Sequence, residues 1–433
     1  MRFFSKANIF LIKNKENIVN LFSLAAIQGS GAIFPLLVFP YLALILGVDK
    51  YALIVVSEVL ALYVLTISLY SFEITGVSTV SKLKLVNSNK VLSVVLNILI
   101  TRLLIFVFCS TVVLAAAYFF WNDMLGLVLV WLLFPLGMIL QSNYYFQAIE
   151  KNLVFSAIIL FSRLLSFILV IFFVTADSNL ALSSFFITGS YFISGILSFI
   201  YLVFKEKDST KFRITYRGIL EVIKEDKAIF FSNVSIILFR NSNVIILKIL
   251  TTDSAVTIYS LAEKIIKTLQ ALARPLNQFY FAKVSNKIIL VKDKNSAMLY
   301  NRNIIWQVCK PQLLLIGSVI ITVVLIGSIS LYFFDVIPEY VNNIKDILLL
   351  MCIATFLGVA NFMFGSVGLN LSGLSAYLAK SMLITGLSTV FISILLCYKF
   401  EAWGAAISYV FGELLLLIFI LHIYNREIRN EGI

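Results

Sequence analysis

Residues Ala228–Leu250 read AIFFSNVSIILFRNSNVIILKIL, and after a short turn residues Ala255–Phe281 read AVTIYSLAEKIIKTLQALARPLNQFYF. Each run is long enough to cross a bilayer as a helix, since about 20 apolar residues at ~1.5 Å rise cover the hydrocarbon core. Yet Arg240 sits at the middle of the first run, and Lys264, Lys267 and Arg274 lie within the second. A cation at mid-membrane is costly and usually faces a bundle interior or a water-filled path, where it meets an anion. The two runs therefore place the chain in a membrane and make a negatively charged cargo the first candidate.

The rest of the chain agrees. Of its 433 residues 61% are hydrophobic and only 13% charged, roughly half the charged share of a soluble protein. The class is an all-α polytopic membrane protein. The net charge of +12 does not call for nucleic acid, because basic residues of membrane proteins collect in cytoplasmic loops. Cys109, Cys309, Cys352 and Cys397 lie far apart in or beside apolar segments, and His422 is the single histidine. No metal-ligand spacing results, so neither a metal nor a bound cofactor is expected. There is no phosphate-binding Gly-rich loop and no nucleophile elbow.

About twelve apolar runs can be counted. The first six are Val19–Leu46, Tyr51–Phe72, Val91–Phe120, Met124–Phe146, Leu153–Thr175 and Leu180–Phe204. The second six are Ala228–Leu250, Ala255–Phe281, Ile304–Phe334, Ile344–Leu369, Ala376–Phe400 and Ala402–Tyr424. Basic residues crowd every second connection: Lys82, Lys84 and Lys90; the segment Lys205–Lys227; then Lys283 to Arg302. The positive-inside rule puts those connections and both termini in the cytoplasm. The sequence thus divides into a six-helix bundle over residues 1–204, a basic cytoplasmic linker over 205–227, and a second six-helix bundle over 228–433. The N-terminal stretch before Val19, interrupted by Lys13, Lys15 and Glu16, reads as an amphipathic helix on the inner membrane surface.

The halves share a faint pattern. Leu46-Gly47-Val48-Asp49 is followed by Tyr51 and Ser57-Glu58, and Leu250-Thr251-Thr252-Asp253 by Tyr259 and Ala262-Glu263. Internal repeats are common in transporters, with the site at the repeat interface. Glu58 and Glu263 occupy the matching place, and ionisable residues inside spans often mark ion paths. They are candidates for coupling to a proton or sodium gradient, against a purely structural pairing with a nearby base. Glu413 follows Gly404, Ala405, Ser408 and Gly412, a face suited to close helix packing.

The first run holds Asn20-Leu-Phe-Ser-Leu-Ala-Ala-Ile-Gln28-Gly-Ser-Gly31, then Pro35-Leu-Leu-Val-Phe-Pro40-Tyr41 and Leu46-Gly47. Tyr144-Tyr145-Phe146-Gln147-Ala148-Ile149-Glu150-Lys151 follows the fourth run. Phe230-Phe231-Ser232-Asn233-Val234-Ser235 with Asn241-Ser242-Asn243, and Tyr259-Ser260-Leu261-Ala262-Glu263-Lys264 continuing to Pro275, fall in the seventh and eighth. Together these resemble the polysaccharide-transporter family and, within it, the O-antigen flippases called Wzx. The resemblance implies a member of the multidrug/oligosaccharidyl-lipid/polysaccharide (MOP) superfamily, with two six-helix bundles forming a V-shaped alternating-access transporter. It implies a cargo, an undecaprenyl-diphosphate-linked O-antigen unit moved from the cytoplasmic to the periplasmic leaflet of the bacterial inner membrane. As partners it implies membrane lipids, an O-antigen polymerase and a chain-length regulator.

Against that background the basic residues are candidates for diphosphate binding. Lys264, Lys267, Ala271 and Arg274 are spaced by three, four and three residues, which stacks them on one helix face. Arg240 and Lys267 fall at similar depth, counting the rise from each inner end. Arginine offers phosphate a planar fork and lysine a movable point charge. The plainer alternative pairs Glu263 with Lys267 at i, i+4 and lets Arg274 snorkel. Arg163 in the fifth run is a cavity candidate from the other half, whereas Arg102 in the third is expected to snorkel. Gly29, Gly31, Pro35, Pro40 and Pro275 can bend helices, either as hinges or as static curvature. A drug/cation exporter of the same superfamily would favour an acidic cavity. A membrane polysaccharide polymerase or ligase would need sites on outer loops, which are short here, so the chain is expected not to be an enzyme. Reporter fusions test the layout: after Asp123, Asp177, Asp253 and Pro338 they should read periplasmic, and after Lys90, Lys211 and Lys292 cytoplasmic. A periplasmic signal after Lys211 would overturn it.

Overall fold

The computed structural model describes residues 15–86, 90–176, 179–206, 227–289, 297–333 and 339–430, with some side chains inside those ranges left aside. The expected surface helix before Val19 falls mostly, and the basic linker almost wholly, outside the described residues. Among these residues all regular structure is helical. The first half contains α1 (Lys15–Leu46), α2 (Val48–Leu69), α3 (Phe72–Val86), α4 (Val91–Phe120), α5 (Leu125–Trp131), α6 (Leu133–Gln141), α7 (Asn143–Ala148), α8 (Asn152–Phe173) and α9 (Leu180–Lys205). The second contains α10 (Lys227–Leu250), α11 (Asp253–Ile289), α12 (Ala297–Phe333), α13 (Glu339–Ala360), a π-helical stretch Asn361–Leu369, and α14 (Ser375–Asn430). Over the described residues each apolar run read from the sequence is mainly helical, with breaks at Tyr70 and Ser142.

Nine of the described helices are long and apolar enough to cross a membrane. The last of these, α14, is two helices joined at Glu401, whose φ of 48° and ψ of −125° are not helical. A Cβ on Gly404 would lie 2.1 Å from Leu396 O. Eight residues along a straight helix would separate those positions by ~12 Å, so the chain doubles back there. The absence of a side chain at 404 is what permits the close approach. Helices α10 and α11, which carry Arg240, Lys264 and Lys267, lie outside the nine. The chain is a multi-pass membrane protein. Phe119, Phe120, Phe172 and Tyr398 are all more than 70% exposed, as large apolar side chains facing lipid tails would be.

By contacts the chain divides into two compact units, one of residues 1–46 and 57–230, the other of 47–56 and 231–433. Both the beginning of α2 and the second half of the chain therefore contribute to the second unit. Within it Thr257 Oγ1 donates to Val48 O at 2.7 Å.

In the first unit, α9 packs on α6 and α8. The α6–α9 contact is backbone against backbone: a Cβ on Gly137 would meet Tyr191 O at 2.4 Å, and one on Gly195 would meet Gly137 O at 2.4 Å. Phe72, Tyr144, Tyr145, Phe146 and Phe155 form a buried aromatic cluster. Arg102 does not snorkel as its position in α4 suggested. It is fully buried, with Nη2 3.0 Å from Glu73 Oε1 and its guanidinium over the rings of Tyr144 and Phe72 at 4.9 and 5.6 Å. The pairing acid and the aromatic faces keep the cation inside.

The second unit is centred on Ile305, Met363, Val367, Ile420 and Tyr424, all buried. Tyr424 donates to Phe364 O within the π-helical stretch, where the widened turn frees carbonyls. Lys248 pairs with Asp253 at 2.5 Å across the turn between α10 and α11. Gly137→Ala should lower the stability of the detergent-solubilised protein by about 1–3 kcal/mol, because overpacking has no slack there. Gly126→Ala, with open space at its Cβ, should stay within about 0.5 kcal/mol, as surface changes do. Chemical unfolding of both variants checks this.

Candidate functional site

Five elements of the second unit build one polar region: α10, α11, α13, the π-helical stretch and α14. Its fixed point is Asn243 on α10, which is fully buried. Asn243 Nδ2 donates to Tyr259 OH on α11 and to Ala405 O on α14, both at 2.9 Å. Its Oδ1 accepts from Ser393 at 2.6 Å and from Ser408 at 3.2 Å. The small residues before Glu413 thus pack against α10, and one amide with all its groups engaged sets the relation of three helices.

About one turn toward the N-terminal end of α10 stands Arg240. Its Nη2 lies 2.8 Å from Glu413 Oε1, on a residue 173 positions away in sequence. Glu413 is wholly buried. Its second oxygen accepts from Asn361 Nδ2 at 2.8 Å, and the same amide donates to Glu413 O at 2.8 Å. Gly358, one turn before Asn361, lies beside the pair: a Cβ there would sit in ordinary contact, 3.7 Å from the carboxylate oxygens.

On α11, Lys267 pairs with Glu263 at 3.0 Å, one turn away, and donates to Asn241 Oδ1 at 2.6 Å. Tyr259 OH lies 3.4 Å from Glu263 Oε1, so the Glu263–Lys267 pair joins the Asn243 network. A cavity of about 500 Å³ opens beside it, lined by Arg240, Asn241, Lys267, Gln270, Asn277 and Phe362, with Ala273, Gly358 and Val359 completing the wall. Gln270 exchanges a 3.4 Å contact with Tyr409 OH, and Asn277 accepts from Gln312 Nε2. The wall is therefore cationic at one part, amide-rich at another, and aromatic at Phe362.

The structure brings Arg240 and Lys267 to this one cavity. Lys264 is half-buried on the same helix and is not part of the lining. Arg274 and Pro275 lie within α11, but their side chains are outside the described residues. Glu263 is 3% exposed and holds Lys267, which is the plainer pairing read from the sequence. Glu58 is half-buried in the first unit, so the two repeat-related acids sit in different surroundings. Arg163 is on α8 of the first unit, where Nη1 donates to Ile27 O at 3.2 Å and to Ser30 Oγ. Its guanidinium also lies over the Tyr191 ring. Gly31 faces that guanidinium, 3.6 Å from where a Cβ would be, while Gly29 has open space. Pro35 and Pro40 are both inside α1, which continues through them. Residue-level reading missed Asn361, Gln270 and Asn277, and saw Glu413 only as a packing acid. The signal for Gln270 and Asn277 was present, since they continue the Lys267–Arg274 face of α11.

Many membrane helices around a polar, ion-paired cavity make a membrane transporter. The backbone is similar to an inward-facing multidrug resistance MATE family transporter of the MOP superfamily, with a TM-score of 0.65 and 13% identity over 96% of this chain and 95% of that one. It is also similar to the lipid II flippase MurJ in an inward closed conformation, with a TM-score of 0.63 and 12% identity over 98% of this chain and 87% of that one. At such identities the likeness establishes the fold alone, an all-α one shared with those two proteins. The chain belongs to the polysaccharide biosynthesis protein family, whose profile matches residues 18–281. A putative O-antigen transporter of Escherichia coli strain K12 is 23% identical to it over 399 residues, 92% of this chain and 94% of that relative.

The network predicts a separation of roles. Asn243→Ala should cost about 2–4 kcal/mol of stability, because Tyr259, Ser393, Ser408 and a backbone carbonyl all lose a buried partner. The thermal midpoint in detergent should fall, and protein level in the membrane with it.

Proposed function

We propose that this protein is a flippase that carries an undecaprenyl-diphosphate-linked O-antigen unit from the cytoplasmic to the periplasmic leaflet of a bacterial inner membrane. Both termini lie in the cytoplasm and the chain performs no bond chemistry. Arg240 and Lys267 hold the diphosphate, and transport proceeds by alternating access. The observation that carries this reading is that two cations from different helices converge on one cavity of about 500 Å³ whose wall also holds three amide side chains, an aromatic ring and small apolar residues. Arginine and lysine suit a diphosphate, amides suit sugar hydroxyls, and a ring face suits the apolar side of a sugar. Family membership and the name of the Escherichia coli relative support the same cargo class. A proton or sodium gradient drives the cycle, and O-antigen polymerase and chain-length regulator receive the product.

The competing reading, a drug exporter for cationic compounds, draws on the two acids, Glu413 and Glu263, that balance the two cations. Export assays separate the two. Arg240→Ala and Lys267→Ala should each abolish O-antigen display, by at least about tenfold, at normal membrane levels, since each removes a charge-assisted contact. Arg240→Lys should restore part of it, because charge persists while the bidentate fork is lost. Lipid-linked units should accumulate on the inner leaflet. Normal display in both Ala variants would end the diphosphate assignment.

A further inference from the structure

Both cations that reach the cavity already hold an anion from the chain itself. The arrangement is layered: the side chains of Arg240 and Lys267 are 34% and 36% exposed, whereas those of Glu413 and Glu263 behind them are 0% and 4% exposed. The cavity surface is thus positive and its backing negative, and the two pairs sum to zero charge.

We infer that Glu413 and Glu263 are internal counter-anions, which occupy Arg240 and Lys267 while the cavity is empty and surrender them to the diphosphate when it fills. This rests on the diphosphate reading of those two cations and adds to it what sets the affinity. Two features carry it. Glu413 has a second anchor that does not depend on Arg240, the two 2.8 Å bonds from Asn361. The carboxylate can therefore lose its cation and remain in place. Lys267 is likewise shared between Glu263 and the neutral Asn241, so its ammonium can turn toward the cavity without breaking the second bond.

The physical consequence is a deliberately weakened site. Two unopposed cations in a membrane interior would bind a diphosphate and keep it, whereas a transport site must be weak enough to empty again. Each displaced acid is left buried without its cation, and that cost is subtracted from the affinity for cargo. Removing an acid should therefore strengthen binding of an anion, the reverse of what a purely structural ion pair predicts.

The test titrates inorganic pyrophosphate into the purified full-length protein by calorimetry. Glu413→Gln and Glu263→Gln should each bind it about tenfold more tightly than wild type, the scale of one close charge pair. The gain from Glu413→Gln should vanish on an Arg240→Gln background, while the gain from Glu263→Gln persists there. In the wild type, pyrophosphate should raise carbodiimide labelling of Glu413 and Glu263 as each loses its cation, which needs no variant to fold. Unchanged or weaker binding in both acid variants, or labelling that pyrophosphate leaves unaltered, overturns the counter-anion inference. If Arg240→Gln still weakens binding in that case, the diphosphate site stands without it. If Arg240→Gln and Lys267→Gln both leave pyrophosphate binding unaltered, the diphosphate reading itself falls.

Discussion

A carboxylate with no exposure to solvent is among the most expensive groups a membrane protein can hold, and Glu413 is such a group. It is tolerable because both of its oxygens are engaged, one by Arg240 and one by Asn361. Those two bonds determine much of the second unit. They require α10, the start of the π-helical stretch and α14 to meet at one point. They also hold Arg240 in the wall of the cavity. Asn243, one turn along α10, fixes the same helices from the other side with a fully used amide. Ion pair and amide together convert an apolar bundle into one that keeps a polar hollow.

The first unit treats its cations differently. Arg102 is enclosed by Glu73 and two aromatic faces. Arg163 donates to a backbone carbonyl of α1 and to Ser30. Each meets groups of the protein itself. Tyr70 and Ser142, at the α2–α3 and α6–α7 junctions, adopt left-handed backbone angles that non-glycine residues seldom take. Both flank the aromatic cluster around Arg102. Basic residues inside apolar helices thus serve packing in one unit and line a cavity in the other. Charge alone does not distinguish those uses. The distinction is whether the pairing acid lies behind the cation or encloses it.

Low identity to transporters of known structure, alongside agreement over nearly the whole chain, fits this economy. Apolar faces exchange Leu, Ile, Val and Phe freely as long as volume is kept. The fold therefore survives while sequence diverges. What cannot drift freely is the set of polar contacts inside the bundle, where an unmatched group is costly.

The amino-acid sequence by itself determined the class, the helical runs and the α10–α11 region as the place where charge enters the membrane. Hydrophobicity is a local property, and a run of twenty apolar residues has few alternatives in a bilayer. The i, i+4 spacing of Glu263 and Lys267 was equally legible, because helix geometry alone brings them together. The partner of Arg240 was not. Glu413 lies 173 residues away, and its own surroundings of glycine, alanine and serine read as helix packing, which they also are. Burial of Arg102 and the carbonyl contact of Arg163 were hidden for the same reason, since their partners come from other helices. Only the tertiary structure decided which acid meets which base, because the cost of a buried charge is set by the groups that fold around it rather than by its neighbours in the chain.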